Sequence, residues 1–89
     1  MEQQYAYDYL NSLVVRARPL IDKIADEWDL LTLEQVDTIA SQLREYAEEA
    51  QSIYDELEGD NLGIIDLVHQ LELAHQDAED LFNEKESKQ

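Results

Sequence analysis

The sequence contains no cysteine, one proline and two glycines among its 89 residues. Without cysteine, the chain has no disulfide framework and no thiolate metal site. The two glycines, Gly59 and Gly63, bracket one turn and cannot form a glycine-rich phosphate-binding loop. No apolar run approaches the roughly 20 residues of a membrane helix, and the first twenty residues lack the basic start and apolar run of a signal peptide. We therefore expect a cytoplasmic protein, or one in the host cytoplasm if a phage encodes it.

Basic residues are scarce: 6 stand against 22 acidic residues, a formal net charge of −16. Such a surface repels nucleic acid and anionic membranes and attracts basic protein surfaces. We expect a protein partner with a basic surface, no direct nucleic-acid binding and no membrane association. Alternatively, the acidic surface only keeps the protein soluble.

The clearest helical pattern lies between Thr32 and Glu58. Its apolar residues recur at alternating steps of four and three, which is the period of a helix that faces a bundle core. They are Val36, Ala40, Leu43, Ala47, Ala50, Tyr54 and Leu57, widened by Ile39, Tyr46 and Ile53. Thr32 and Gln35 form a capping box at the start, and Gly59 is a suitable left-handed residue after the end. We predict a helix over about residues 33–58.

The first segment, about residues 3–28, keeps the same rhythm through Pro19. A proline inside a helix removes one hydrogen bond and clashes with the carbonyl of Val15. Two outcomes remain, a kinked helix or a break near Pro19, and the uninterrupted period favours the kinked helix. The apolar face comprises Ala6, Tyr9, Leu10, Leu13, Ala17, Leu20, Ile21, Ile24 and Trp28, and Tyr7, Val14 and Ala25 widen it to one side.

The third segment is predicted to be helical over about residues 62–84, with Asp60 or Asn61 as its cap and a frayed tail over 85–89. Its apolar face comprises Ile64, Leu67, Val68, Leu71, Ala74, Ala78, Leu81 and Phe82. Three long helices of matched length with short connections give an antiparallel three-helix bundle. We therefore predict an all-α fold in one domain, residues 1–89.

Two carboxylate-x-x-His pairs, Asp66 with His69 and Glu72 with His75, raise a metal-binding helical oligomer as an alternative function. In di-iron bundles such pairs come from two different helices, whereas here both lie on one. His69 and His75 diverge by about 120° around that helix. The sequence has no cysteine nucleophile, and none of its serines has a histidine close in sequence. We expect no metal, no cofactor, no catalytic residues and no enzyme activity.

The segment Gly59-Asp60-Asn61-Leu62 resembles the prosthetic-group site of acyl carrier proteins, in which a serine follows the aspartate. Asn61 stands at that position, and asparagine cannot carry the phosphopantetheine arm. The resemblance therefore implies no carrier function for this chain.

The acidic surface is the remaining candidate site. With 22 carboxylates over a predicted length of about 39 Å, the bundle carries roughly one per 1.8 Å, against about 1.7 Å per charge in duplex DNA. In composition the chain resembles the small acidic DNA mimics that phages encode. The predicted partner-binding acids are Asp37, Glu45, Glu48, Glu49, Asp55, Glu56, Asp66, Asp77 and Asp80.

Four further side chains, Tyr7, Val14, Val15 and Leu73, form a candidate apolar interface, and the wide apolar sector of the first helix makes a homodimer an option. We expect a protein that binds and regulates or inhibits a protein partner, with DNA mimicry as one form of this function. The alternative is a structural or adaptor module that does not mimic DNA.

Overall fold

The computed structural model describes residues 2–60 and 62–88 and has the predicted architecture, an antiparallel three-helix bundle. Helix α1 spans Gln3–Glu27 and is followed by a 3-10 turn over Trp28–Leu30, helix α2 spans Leu33–Asp55, and helix α3 spans Ile64–Ser87. The Cα atoms extend over 46 × 19 × 16 Å. The bundle is therefore longer than the predicted 39 Å. Among the described residues, no helix is both long and apolar enough to pass through a bilayer.

The core forms along the predicted stripes of all three helices. Leu10, Leu13, Leu43, Ile64 and Leu71 are among the largest fully buried side chains, and each occupies a position that the four-three rhythm selects. Tyr9, Trp28, Tyr46, Tyr54 and Phe82 pack against this core while partly exposed. Helices α2 and α3 pack together most extensively, so α1 covers the remaining side of the pair.

Two residues depart from the predicted core. Ile21 was placed on the core face of the first helix, yet 40% of its surface is exposed. It lies at the side of α1 where neighbouring helices leave a groove. Leu31, assigned only to the connection, is buried, with 6% of its surface exposed.

Helix α1 runs without interruption through Pro19, as the uninterrupted apolar period predicts. Pro19 itself is exposed. Because proline has no amide hydrogen, the carbonyl of Val15 loses its usual helical donor at this position. Val15 is also exposed, with 62% of its surface accessible.

The turn between α2 and α3 differs from the prediction. Helix α2 ends at Asp55 rather than near residue 58, and Gly59 does not have a positive φ. The left-handed residue is Gly63, with φ 72° and ψ 31°, directly before α3. Gly63 was expected inside the first helical turn, but it reverses the chain at the entrance to the helix, where glycine avoids the clash of a Cβ.

The predicted Thr32 capping box is confirmed, and Asp60 caps α3 from three positions before Gly63, which is the N-cap residue of that helix. The Thr32 hydroxyl accepts from the Gln35 amide at 3.1 Å, and the Gln35 side chain accepts from the Thr32 amide at 2.8 Å. The Asp60 carboxylate accepts from the amides of Ile64 and Ile65 at 2.7 and 3.1 Å. The alternative cap, Asn61, lies outside the described residues.

The end of α3 lies further along the chain than predicted. The helix continues to Ser87, beyond Glu84, so the prediction of a frayed segment from residue 85 is wrong for 85–87. Lys85 donates from Nζ to the carbonyl oxygen of Trp28 at 3.2 Å, and Nζ also lies 4.8 Å from the centre of the Trp28 ring. These contacts hold the end of α3 against the turn after α1.

Candidate protein-interaction surface

Negative charge is distributed unequally among the three helices. Helix α1 has four acidic and three basic residues, a net charge of −1. Helix α2 has six acidic residues and one basic residue, a net of −5, and helix α3 has seven and one, a net of −6. The acidic surface is therefore a property of the α2–α3 pair, and α1 is nearly neutral.

Heptad spacing places acids along the flank of α2 that faces α3. Asp37 and Glu49 each lie about 120° around α2 from the buried Leu43, on opposite sides of it. Glu49 faces α1, because the Tyr9 hydroxyl donates to its carboxylate. Asp37 therefore lies on the α3 side, and Glu48 and Asp55, at eleven and eighteen positions further on, share that flank.

A matching row of acids lies on the facing flank of α3. Gln70 and Asp77 of α3 line hollows shared with α1, so the opposite flank of α3 faces α2. Glu72, Glu79 and Glu86 follow one another on that flank at steps of seven. We call the two rows together the acidic seam, which comprises Asp37, Glu48, Asp55, Glu72, Glu79 and Glu86.

Five of the six seam carboxylates are exposed and Glu79 is half-buried. Glu79 Oε1 lies 3.0 Å from His75 Nε2, and Asp55 accepts from the Gln51 amide side chain at 2.9 Å. Arg44 is the cation of α2 and lies seven positions after Asp37, on the same flank. Side chains of the seam therefore neutralise only a small part of its negative charge.

The nine acids predicted to bind a partner are all exposed, but they do not share one face. Asp37, Glu48 and Asp55 belong to the acidic seam, while Glu49 lies at the α1–α2 boundary and Asp77 lies beside α1. Glu56 is the C-cap residue directly after α2, and its amide donates to the carbonyls of Ile53 and Tyr54. Three others, Glu45, Asp66 and Asp80, are exposed outside the seam.

Tyr9 connects the core to the α1–α2 boundary. Its ring packs against the buried cluster, and its hydroxyl donates to Glu49. This hydrogen bond, with some desolvation, raises the pKa of Tyr9 above its ordinary value of 10.0, because it favours the protonated phenol. Glu49 is therefore exposed and also accepts a hydrogen bond from α1.

The four candidate apolar contacts do not form one patch. Tyr7 and Val14 are half-buried against the core, and Val14 lines a hollow between α1 and α3. Val15 and Leu73, with 62% and 59% of their surfaces exposed, line neither of the two hollows between these helices. Val14 and Val15 point about 100° apart because they are successive helical residues.

The carboxylate–histidine pairs behave differently from one another. His69 is exposed, while His75 is half-buried and contacts Glu79, four residues later, rather than the predicted partner Glu72. Among residues 2–60 and 62–88, no group of three or more His, Asp or Glu side chains is arranged to hold a metal ion.

Comparison of the chain with models of known protein families, with curated proteins and with solved structures finds no match.

Sequence reasoning missed the acidic row on α3 that faces α2. Glu72 was considered only as a metal ligand, and Glu79 and Glu86 were not assigned to any site. The step of seven between these residues was the available signal, but only the position of α1 decides which flank of α3 faces α2.

Proposed function

We propose that this protein is a non-enzymatic binding protein that uses the acidic seam to bind a basic surface of a partner protein and to regulate or inhibit it. The observation that carries the proposal is the unequal charge, −5 and −6 on α2 and α3 against −1 on α1. If the acidic residues only kept the protein soluble, they could be distributed evenly over the three helices. A cytoplasmic location belongs to the same proposal.

Charge concentrated on one side of a small protein has a specific physical effect. It orients a basic partner during approach and raises the association rate, and this effect weakens as salt screens the charges. Exposed carboxylates held on two rigid helices lose little conformational freedom of the backbone on binding. The partner is therefore expected to meet the α2–α3 side first.

DNA mimicry is the finer form of the proposal, and one observation supports it. The 22 carboxylates over 46 Å amount to one per about 2.1 Å, and the net charge of −16 amounts to one per about 2.9 Å, against about 1.7 Å per charge in duplex DNA. The rows themselves are sparser, since a step of seven residues is about 10.5 Å, whereas phosphates of one strand recur every 3.4 Å or so. A mimic would therefore present a high overall density of carboxylates rather than match individual phosphates.

The test compares two variants of equal charge. The seam variant carries Glu48→Gln, Asp55→Asn and Glu72→Gln, and the control carries Asp8→Asn, Asp26→Asn and Glu27→Gln on or at the end of α1. Immobilised proteins are incubated with lysate at low salt, and bound proteins are eluted with a salt gradient and identified. We expect basic proteins that the seam variant retains much less than the control does.

Equal retention by the two variants, or partners that are acidic and indifferent to salt, would contradict the proposal. Duplex DNA is then added to the complex formed with the wild-type protein. Release of a nucleic-acid-binding partner by DNA would support mimicry, and retention of a partner that binds no nucleic acid would support a regulator without mimicry.

A further inference from the structure

A groove runs between α1 and α3, on the side of the bundle away from the acidic seam. It contains two adjoining hollows of about 150 and 170 Å³ that share Ile21. We call this the apolar groove; its floor comprises Val14, Ala17, Ile21, Ala25, Leu71, Ala74, Ala78 and Leu81. The first hollow is lined mainly by apolar side chains, whereas the second also has Arg18, Asp22 and Gln70 among its lining residues. Each has a volume comparable to that of an apolar cavity that holds a benzene ring, which is enough for one large apolar side chain.

The two hollows are spaced for a helix. On α3, one is lined by Gln70 and Leu71 and the other by Ala74, Asp77, Ala78 and Leu81. The centres of these two sets are seven positions apart, which is about 10.5 Å along the axis. Two side chains at positions i and i+7 of a docked helix have the same separation, and helices that bind in grooves use anchors at such positions.

The rim of the apolar groove is predominantly acidic. Asp22 and Asp77 line the hollows, and Arg18 is the one cation among the lining residues. Asp66 and Glu84 continue the flank of α3 on which Gln70 and Asp77 lie, at helical steps of four and seven. All four acids are exposed. A docked segment therefore meets net negative charge along the α3 edge, while Asp22 and Arg18 balance each other on the α1 edge.

The negative charge of the rim favours some ligands of the apolar groove over others. A second copy of the chain would bring another −16 and the same acidic rim, and like charges across an interface are strongly unfavourable. A helix with lysine or arginine beside its apolar stripe would complement the rim and fill the hollows.

We propose that the apolar groove binds an amphipathic helix of a partner protein, with two large apolar anchors two turns apart and basic residues on the flank that faces α3. The proposal rests on the proposed function in one respect, the basic character of the partner. It adds a second contact, on the opposite side of α3 from the seam, that recognises apolar side chains.

The test uses three labelled peptides of about 18 residues, or about 27 Å as a helix, and fluorescence anisotropy with the full chain. The first has two leucines seven positions apart and flanking lysines. The second has the same composition with the leucines moved to opposite faces. The third keeps the leucines and replaces lysine with glutamine. Ala25→Trp fills one hollow, and Val15→Trp adds the same side chain on another flank of α1 as the control.

We expect the first peptide to bind about tenfold or more tightly than the second, since burial of one leucine corresponds to roughly that factor. Ala25→Trp should remove this advantage and Val15→Trp should keep it. Circular dichroism checks that both variants retain wild-type helix content. Because the peptide comparison uses the wild-type protein, it holds even if a variant fails to fold.

Equal binding of the first and second peptides would overturn the groove proposal and leave charge-driven binding intact. Equal binding of the first and third at low salt would keep the apolar anchors but contradict a basic ligand for the groove, while the seam proposal would still be decided by the seam and α1 variants. A wild-type protein that sediments as a dimer, with a monomeric Ala25→Trp variant, would assign the groove to a second copy and overturn the proposal.

Discussion

Asp60 lies in an acidic loop, but its role is structural, because it caps the start of α3. Its carboxylate accepts hydrogen bonds from the first amides of α3, which have no partners within the helix. These amides, Ile65 first and Ile64 second, hold the pKa of Asp60 below its ordinary value of 3.8. One of the 22 acids is thus explained by folding rather than by binding.

Asp60→Ala should lower the melting temperature at pH 7 by a few degrees, and Glu58→Ala, an exposed acid in the same loop, should not. Because the folded pKa of Asp60 is depressed, its ionised form contributes stability above the unfolded pKa. This contribution is lost as the pH falls through the lower folded value. Thermal unfolding followed by circular dichroism should show the difference between wild type and Asp60→Ala shrinking below about pH 4. A difference that stays constant in acid would contradict the role of the charged cap.

Lys85 is the basic residue of α3, and its ammonium group contacts both the carbonyl and the ring of Trp28. Lys85→Met keeps most of the apolar stem and should cost about 1 kcal/mol of unfolding free energy. It should also change the fluorescence of Trp28, the single tryptophan. Urea unfolding followed by this fluorescence measures both. Lys88→Met is the control, since Lys88 is exposed and pairs with Glu84, and an equal effect of the two variants would refute the Trp28 contact.

At the scale of the element, α1 differs most from its neighbours. It is nearly neutral, it contains the proline, and it leaves Val14, Ile21 and Ala25 along an open groove. Its apolar sector was predicted to be wide because Tyr7, Val14 and Ala25 flank the core positions. The width has a physical reason in the fold, because Val14 and Ala25 line the groove between α1 and α3 and Tyr7 packs against the core while partly exposed.

Pro19→Ala should stabilise the protein by up to about 3 kcal/mol, because alanine restores the amide donor to the Val15 carbonyl and removes the ring clash. Asn11→Ala, at another exposed position of α1, should gain only a few tenths of a kcal/mol. Denaturant midpoints of the two variants give the comparison. A Pro19→Ala protein no more stable than Asn11→Ala would mean that the surrounding packing depends on the geometry that proline imposes.

At the scale of the whole molecule, repulsion among the acidic side chains destabilises the folded bundle. The bundle is 19 Å and 16 Å across its Cα atoms, less than the screening length of about 30 Å in 0.01 M salt. In dilute buffer every carboxylate therefore repels those on the other helices. In 0.15 M salt the screening length falls to about 8 Å, and repulsion across the bundle is largely removed.

The melting temperature should accordingly rise as sodium chloride is increased from about 0.01 to 0.15 M. The seam variant with Glu48→Gln, Asp55→Asn and Glu72→Gln should show a smaller rise than the α1 control variant. It removes charges that face one another across two helices, whereas the control removes charges from the nearly neutral one. A melting temperature that is insensitive to salt would show that the acids are too well separated to destabilise the fold.

The sequence by itself determined the fold class, the cores of the helices and the Thr32 capping box, because these depend on periodicity and on contacts between residues close in the chain. It also determined the net charge of −16. Only the tertiary structure decided the positions of Ile21 and Leu31, the role of Gly63 and the extension of α3, since each depends on contacts or turns between helices. The flanks of α3 that face α1 and α2 were likewise decided by packing. For that reason both the acidic seam and the apolar groove became visible only in the assembled bundle.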